Sequence, residues 1–205
     1  MEVNRKYYSM RAKNLKIVTS ATSIGNNKLD YELIPELKGL DKMPFEFELK
    51  MLTHDKKGIL ITDDTSLLEK KWFDYQYNDL AWPIFSERLM NIIDANIGEN
   101  ENLSWIKCTI NSSKEKRTYF IPKFLKKTEL LDRDKTIYVQ GTDQILKPYY
   151  SLSKIQKYSV FPKASMFWEI PTSIIINEQI KESIKRQGMS EIEFEEILIS
   201  ENEFS

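Results

Sequence analysis

MFWEIPTSIIINEQIKESIKRQGMSEIEFEEIL, residues Met166 to Leu198, decides the fold, because it reads in order as a strand, a capped helix and a second strand. Phe167, Trp168 and Ile170 begin an extended run that Pro171 interrupts, since proline donates no hydrogen bond to a strand ladder. Asn177 has the side-chain oxygen that a helix N-cap needs. Glu178 follows at the positive end of the helix dipole, and Lys185 and Arg186 lie at the negative end. Gly188 suits the left-handed residue that ends a helix, with Met189 placed to cover Ile184. Ile180 and Ile184 share the buried face. Beyond the glycine, Ile192, Phe194 and Glu196 alternate with Glu193, Glu195 and Ile197, which predicts an exposed final strand with a partly acidic face.

Upstream, Pro83 to Ile110 partly repeats this plan of polar cap, helix, glycine and strand. Ser86 is the cap, Leu89, Ile93 and Ile97 share a face, and Gly98 is placed to end the helix. In the strand that follows, Ile106, Cys108 and Ile110 form one apolar row, which makes Cys108 a structural, inert thiol. A hairpin at residues 112–116 leads to a return strand through Thr118, Phe120 and Pro122. Nearer the N-terminus, residues 6–10 and 16–19 are predicted strands. Phe45, Phe47, Leu49 and Met51 alternate inward along a third, and DKKG at 55–58 turns it into a short strand at Ile59, Leu60 and Ile61. The segment from Thr19 to Pro44 is rich in small polar residues, glycine and proline, and is expected to be loop with little part in a core. The expected fold class is therefore α+β, mainly antiparallel sheet with two or more short amphipathic helices packed on it, in a single domain over residues 1–205.

Thirty basic side chains stand against 31 acidic ones, so net charge gives no reason to expect nucleic acid or an anionic membrane as partner. No apolar run approaches the ~20 residues that span a bilayer. The opening MEVNRKYYSM lacks the apolar centre of a signal peptide, and a cytoplasmic protein is expected. The single cysteine excludes an internal disulfide framework. Charge is nonetheless uneven: residues 114–135 carry eight basic and four acidic side chains, residues 178–205 three and eight. Such biases are ordinarily solvated faces, and in compact form they steer a charged partner.

Motifs for chemistry are scarce. His54 is the sole histidine, which rules out a histidine-rich zinc site within the chain. Its neighbour Asp55 points the other way in a strand, which argues against a catalytic relay. Asp63 with Asp64, and Asp132 with Asp134, offer carboxylate pairs but no glycine-punctuated calcium loop or third ligand. Neither a dinucleotide-binding glycine motif nor a P-loop occurs. Ser86 precedes Glu87 and Arg88 rather than the glycine of a nucleophile elbow. No cofactor, metal or catalytic residue is assigned. WFDYQYNDLAW, residues 72–82, is instead dense in aromatic side chains, which either cover the sheet or anchor an interface.

Ser86-Glu87-Arg88-Leu89 running into a helix, Trp105 in the next strand, Met166-Phe167-Trp168, the closing helix with Gly188 and Phe194, and the tyrosine-bearing strand at residues 6–10 together resemble immunity proteins of bacterial polymorphic toxin systems. The similarity is to the immunity protein 43 and immunity protein 11 families. It implies a small cytoplasmic protein that binds a cognate toxin and blocks it without catalysis. Such inhibition needs a surface of roughly 800 Å² per partner with aromatic anchors and a complementary rim. Trp72, Tyr75 and Tyr77 are the expected anchors, and Glu193, Glu195 and Glu196 the rim toward a basic toxin. The competing expectations are a small enzyme built on His54, Asp63 and Asp64, and a general adaptor or scaffold using the same aromatic stretch.

Overall fold

A computed structural model describes residues 6–15, 17–55, 58–62, 72–98 and 100–201. In chain order its elements are β1 (Tyr7–Ala12), β2 (Ile17–Ser23), α1 (Asp30–Leu33), a 3-10 turn (Ile34–Leu37), β3 (Phe47–Asp55), β4 (Gly58–Thr62), β5 (Tyr75–Asn78), β6 (Ile84–Ser86), α2 (Glu87–Asp94), β7 (Leu103–Asn111), β8 (Lys116–Phe124), β9 (Ile137–Tyr138), β10 (Ile145–Lys147), β11 (Tyr150–Ser151), α3 (Leu152–Ile155), β12 (Val160–Pro162), β13 (Ile174–Asn177), α4 (Glu178–Arg186), β14 (Ile192–Glu196) and β15 (Ile199–Ser200). The class is mixed α+β, and the helices are few and short.

The largest sheet runs β2-β5-β6-β8-β7-β3-β4, and a further β2–β3 pairing closes six of its strands into a barrel. The expectation of a mainly antiparallel sheet holds in part: most of the barrel's pairings are antiparallel, and two are parallel. β2 meets β5 in parallel at Ser20 and Tyr77, and β3 meets β7 in parallel at Phe47 and Ile110. Strands far apart in the chain return in the same direction only by a long crossover, which hydrophobic alternation does not reveal. The hairpins lie closer to expectation. β3 pairs with β4 from Met51–Thr62 to Asp55–Gly58, and β7 with β8 from Leu103–Phe124 to Asn111–Lys116.

Alternation along the barrel strands turns Phe47, Leu49, Ile106, Cys108, Ile110, Tyr119 and Ile121 inward around Trp82. Leu33, Ile34, Leu37 and Met43 are buried with them. This overturns the expectation that residues 19–44 have little part in a core. Leu33, Ile34 and Leu37 have helical spacing, and the short helical segment presents them to the barrel as a plug. Lys123, buried at the same place, donates from Nζ to the Leu37 carbonyl at 2.6 Å and so satisfies the end of the 3-10 turn. Inside the barrel, Gln76 is fully buried and donates to the Thr19 carbonyl at 2.6 Å.

The second sheet has the order β12-β13-β1-β14 and is antiparallel throughout. β12, β13 and the start of β1 bury both faces. Tyr8, Met10, Val160, Ile174 and Ile176 point toward the outside of the barrel, and Tyr7, Phe161 and Ile175 toward Leu130, Tyr150 and Ile155. Helices α2 and α4 add Leu89, Ile93, Ile180 and Ile184 to the core between barrel and sheet. The two predicted capped helices are therefore the wedge that joins the two sheets.

Their caps are present. Ser86 Oγ accepts from the Leu89 amide at 3.2 Å, and Asn177 Oδ1 from the Ile180 amide at 3.0 Å. Gly188 takes φ +73° and ends α4 with Met189 buried behind it. Two local expectations fail. α2 ends at Asp94 with Ala95 as its C-cap, before Gly98, whose amide instead donates to Glu101 Oε2 at 3.0 Å. The run Met166 to Ile170 is not a strand either; the strand before α4 is Ile174–Asn177. Phe167 stacks on Tyr31, Trp168 packs in the core between the sheets, and Ile170 enters the barrel. Three destinations within four residues are incompatible with a regular pleat.

Because Asn177 is 1% exposed and its oxygen caps the wedge helix, Asn177→Ala is expected to lower stability by about 1–2 kcal/mol. A urea titration reads this as a lower midpoint at unchanged slope. An unmoved midpoint would show the cap to be idle.

Candidate interaction surface

β14 lies at the end of its sheet, so its position against β1 determines what its glutamates do. Arg11 on β1 is paired with Glu193, and its guanidinium reaches both acidic neighbours: Nε lies 3.1 Å from Glu193 Oε2 and Nη1 3.8 Å from Glu195 Oε2. Glu196 is on the opposite face, across from Tyr8. The three glutamates therefore line two sides of one strand rather than a single rim.

The same corner receives part of the aromatic stretch. The Lys13 amide, just beyond β1, donates to the Glu191 carbonyl at 2.7 Å, and the Asp74 amide to Glu191 Oε1 at 2.9 Å. Tyr77 donates its hydroxyl to the Lys13 carbonyl. Burial raises the Tyr77 pKa, the Glu193 carboxylate raises it further, and Arg11 opposes both. Tyr77, Arg11, Glu193 and Glu195 thus form one half-exposed polar and aromatic corner between barrel and sheet. Behind it Asp74 accepts from Ser86 Oγ at 2.5 Å and lies 3.7 Å from Arg88, whose guanidinium also donates to the Gln187 carbonyl.

The other two expected anchors are elsewhere. Tyr75 is buried in the core between the sheets, edge-on to Phe85 with ring centroids 5.0 Å apart. Burial holds its hydroxyl protonated far above the usual range. It is a core residue and has almost no surface to give a partner. Trp72 is half-buried against the barrel's inner residues, stacked on Tyr119 at 6.0 Å with the Arg117 guanidinium 4.6 Å from its ring centre. It does not share the Tyr77 corner.

The residues singled out for chemistry are only partly among the described ones. The backbone of His54 is opposite Ile59 in the β3–β4 hairpin, and Asp63 and Asp64 lie outside the described residues. Asp132 Oδ1 accepts from the amides of Asp134 and Lys135 at 3.1 and 3.3 Å, which makes it a turn-closing carboxylate. The Ser200 hydroxyl and these amides hold its pKa below the ordinary range. Among the described residues no group of three or more histidine, cysteine, aspartate or glutamate side chains is arranged to hold a metal. Cys108 is buried in the barrel, and burial raises its thiol pKa far above the usual range, which removes the thiolate on which reactivity depends.

A second exposed surface was not anticipated. Tyr31 and Phe167 stack at 6.0 Å while staying 46% and 41% exposed, and Met166 beside them is 83% exposed. Leu29, also exposed, borders a cavity of about 340 Å³ whose walls include Ser23, Asn26, Asp30, Asp79 and Ala81. The helical spacing of Leu33, Ile34 and Leu37 carries the signal for this surface, because it places Tyr31 off the buried face. Among the described residues no helix is long and apolar enough to cross a membrane. No protein-family model matches the chain, and no curated protein matches it.

Proposed function

We propose that the protein is a non-catalytic binding protein that neutralises a cognate toxin, as the resemblance to immunity proteins implies. One observation carries the surface on which this proposal rests: at the joint of barrel and sheet Tyr77 bonds to the Lys13 carbonyl and feels the charges of Glu193 and Arg11, and Arg11 in turn reaches both Glu193 and Glu195. An aromatic body beside fixed carboxylates has the composition of an interface centre with a charged rim. The acidic side selects a basic partner and speeds its approach. A general adaptor is the second reading, favoured by the separate exposed stack of Tyr31 on Phe167.

The test is to co-express the chain with the product of an adjacent gene, asking whether that product harms cells alone, forms a stoichiometric complex with the chain and is neutralised by it. With Glu193→Gln and Glu195→Gln together, the complex is expected to form about ten times more weakly and to lose part of its salt dependence. Equal affinity and an equal salt slope would remove both residues from the interface. A neighbour that neither harms cells nor binds the chain would overturn the immunity reading.

A further inference from the structure

We infer that the outer edge of β14, which among the described residues pairs with no strand, is a docking edge, which takes an extended basic segment of a partner protein as an added strand. This rests on the binding-protein reading and specifies how the partner is held. Register provides the first step. The Lys13 amide bonds to the Glu191 carbonyl and the Ile197 amide to the Tyr7 carbonyl, one pair at each end of the β1–β14 ladder. In an antiparallel ladder bonded pairs alternate, so Glu193 and Glu195 also spend their backbone groups on β1. Ile192, Phe194 and Glu196 therefore direct their N–H and C=O groups to the open side. Exposure rises along the strand from buried Ile192 to exposed Glu195 and Glu196, so the outer half of the edge is accessible.

Charge decides the occupant. An edge of unpaired backbone groups is a template for any strand, including another copy of itself. Antiparallel self-pairing that satisfies Ile192, Phe194 and Glu196 brings glutamate against glutamate wherever the two-fold falls between Glu193 and Glu195. A centre at Phe194 sets Glu193 across from Glu195, and a centre at either glutamate sets it across from itself. Like charges directly opposite are destabilising. Arg11 is one guanidinium shared by two carboxylates, so an acidic excess remains on that face, and Glu196 adds to it from the other. A partner strand with lysine or arginine at alternate positions meets Glu193 and Glu195 directly, whereas a second copy is repelled. Backbone bonds supply the affinity of such strand addition and the side chains its specificity.

The decisive variant is Glu196→Pro, compared with Glu196→Gln. Proline removes the outward N–H of residue 196 and leaves the Ile197 bond to Tyr7 in place, and edge strands tolerate proline where the N–H faces outward. The probe is a labelled peptide of alternating lysine and valine, with a second peptide N-methylated on alternate residues, both followed by fluorescence anisotropy. The unmodified peptide is expected to bind the wild-type chain, with roughly tenfold weaker binding to Glu196→Pro than to Glu196→Gln, and the N-methylated peptide to lose a similar factor without any change in the protein. Equal binding by the two variants, or by the two peptides, would overturn strand addition. A denaturation midpoint for Glu196→Pro close to that of Glu196→Gln confirms that the fold is kept; if it is not, the peptide pair decides alone. The product of the adjacent gene separates the two proposals. If it binds wild type and Glu196→Pro equally, the docking edge fails and immunity stands; peptide binding with these differences, alongside a neighbour that does not bind, upholds the edge and removes immunity.

Discussion

Trp82→Ala is expected to lower the stability of the protein by about 3–5 kcal/mol, the range for truncating a large buried aromatic side chain. Trp82 is 2% exposed and stands among the residues that fill the barrel. The neighbouring turn holds it rigidly. Asn78 Oδ1 accepts from the Leu80 and Trp82 amides at 3.0 and 3.3 Å, and Asn78 Nδ2 donates to the Trp82 carbonyl at 2.6 Å. Because this loop is pinned to the end of β5, the walls around the missing indole have little freedom to collapse, and the cavity remains. For a chain of this length each kcal/mol shifts the melting temperature by about 2–4 °C, so a fall of about 6–20 °C is expected. Trp82→Phe keeps part of the ring and should lose less. A fall of under about 1 kcal/mol for the alanine variant would mean that the indole is not the centre of the barrel.

What was legible in the sequence follows from how far each determinant reaches. Asn177, Ser86 and Gly188 act within a turn of helix, and the structure places all three as their local chemistry requires. The inward row of Ile106, Cys108 and Ile110 is likewise a property of one strand. Barrel closure is different, because the parallel contacts of Ser20 with Tyr77 and of Phe47 with Ile110 leave no mark in either strand's own pattern. Pattern also misled where a short apolar run divides among several cores, as Phe167, Trp168 and Ile170 do. In the candidate surface, Tyr77 and Glu193 each stood out by residue type, but only the packing of β5 beside the end of β1 makes them neighbours. Tyr75 stood out for the same reason as Tyr77, and its interior position depends on α2 and the second sheet covering it.

Tyr150→Phe is expected to be the less stable protein at neutral pH and the more stable one in strong alkali. At neutral pH the phenol oxygen accepts a hydrogen bond from the Ala164 amide at 3.0 Å. Its removal leaves that donor without its partner, at a cost of about 1–2 kcal/mol. Tyr150 is 1% exposed, and burial pushes its pKa up to about 12, with the Ala164 amide opposing the shift. The unfolded chain releases this proton near pH 10, whereas the folded chain holds it to about pH 12. Between those values the unfolded state binds fewer protons, so stability falls as pH rises, by about 1.4 kcal/mol per unit and about 3 kcal/mol in all. The contribution is fully present below pH 10. Burial moves the hydroxyls of Tyr75 and Tyr119 in the same direction, so the wild-type chain should lose stability steeply in this range. The phenylalanine variant lacks one of these protons and follows a shallower course, and the two stability curves should cross near pH 11. Urea midpoints taken at intervals from about pH 8 to about pH 12 test this directly. Parallel curves that never approach each other would mean that Tyr150 ionises in the folded protein as readily as in the unfolded chain.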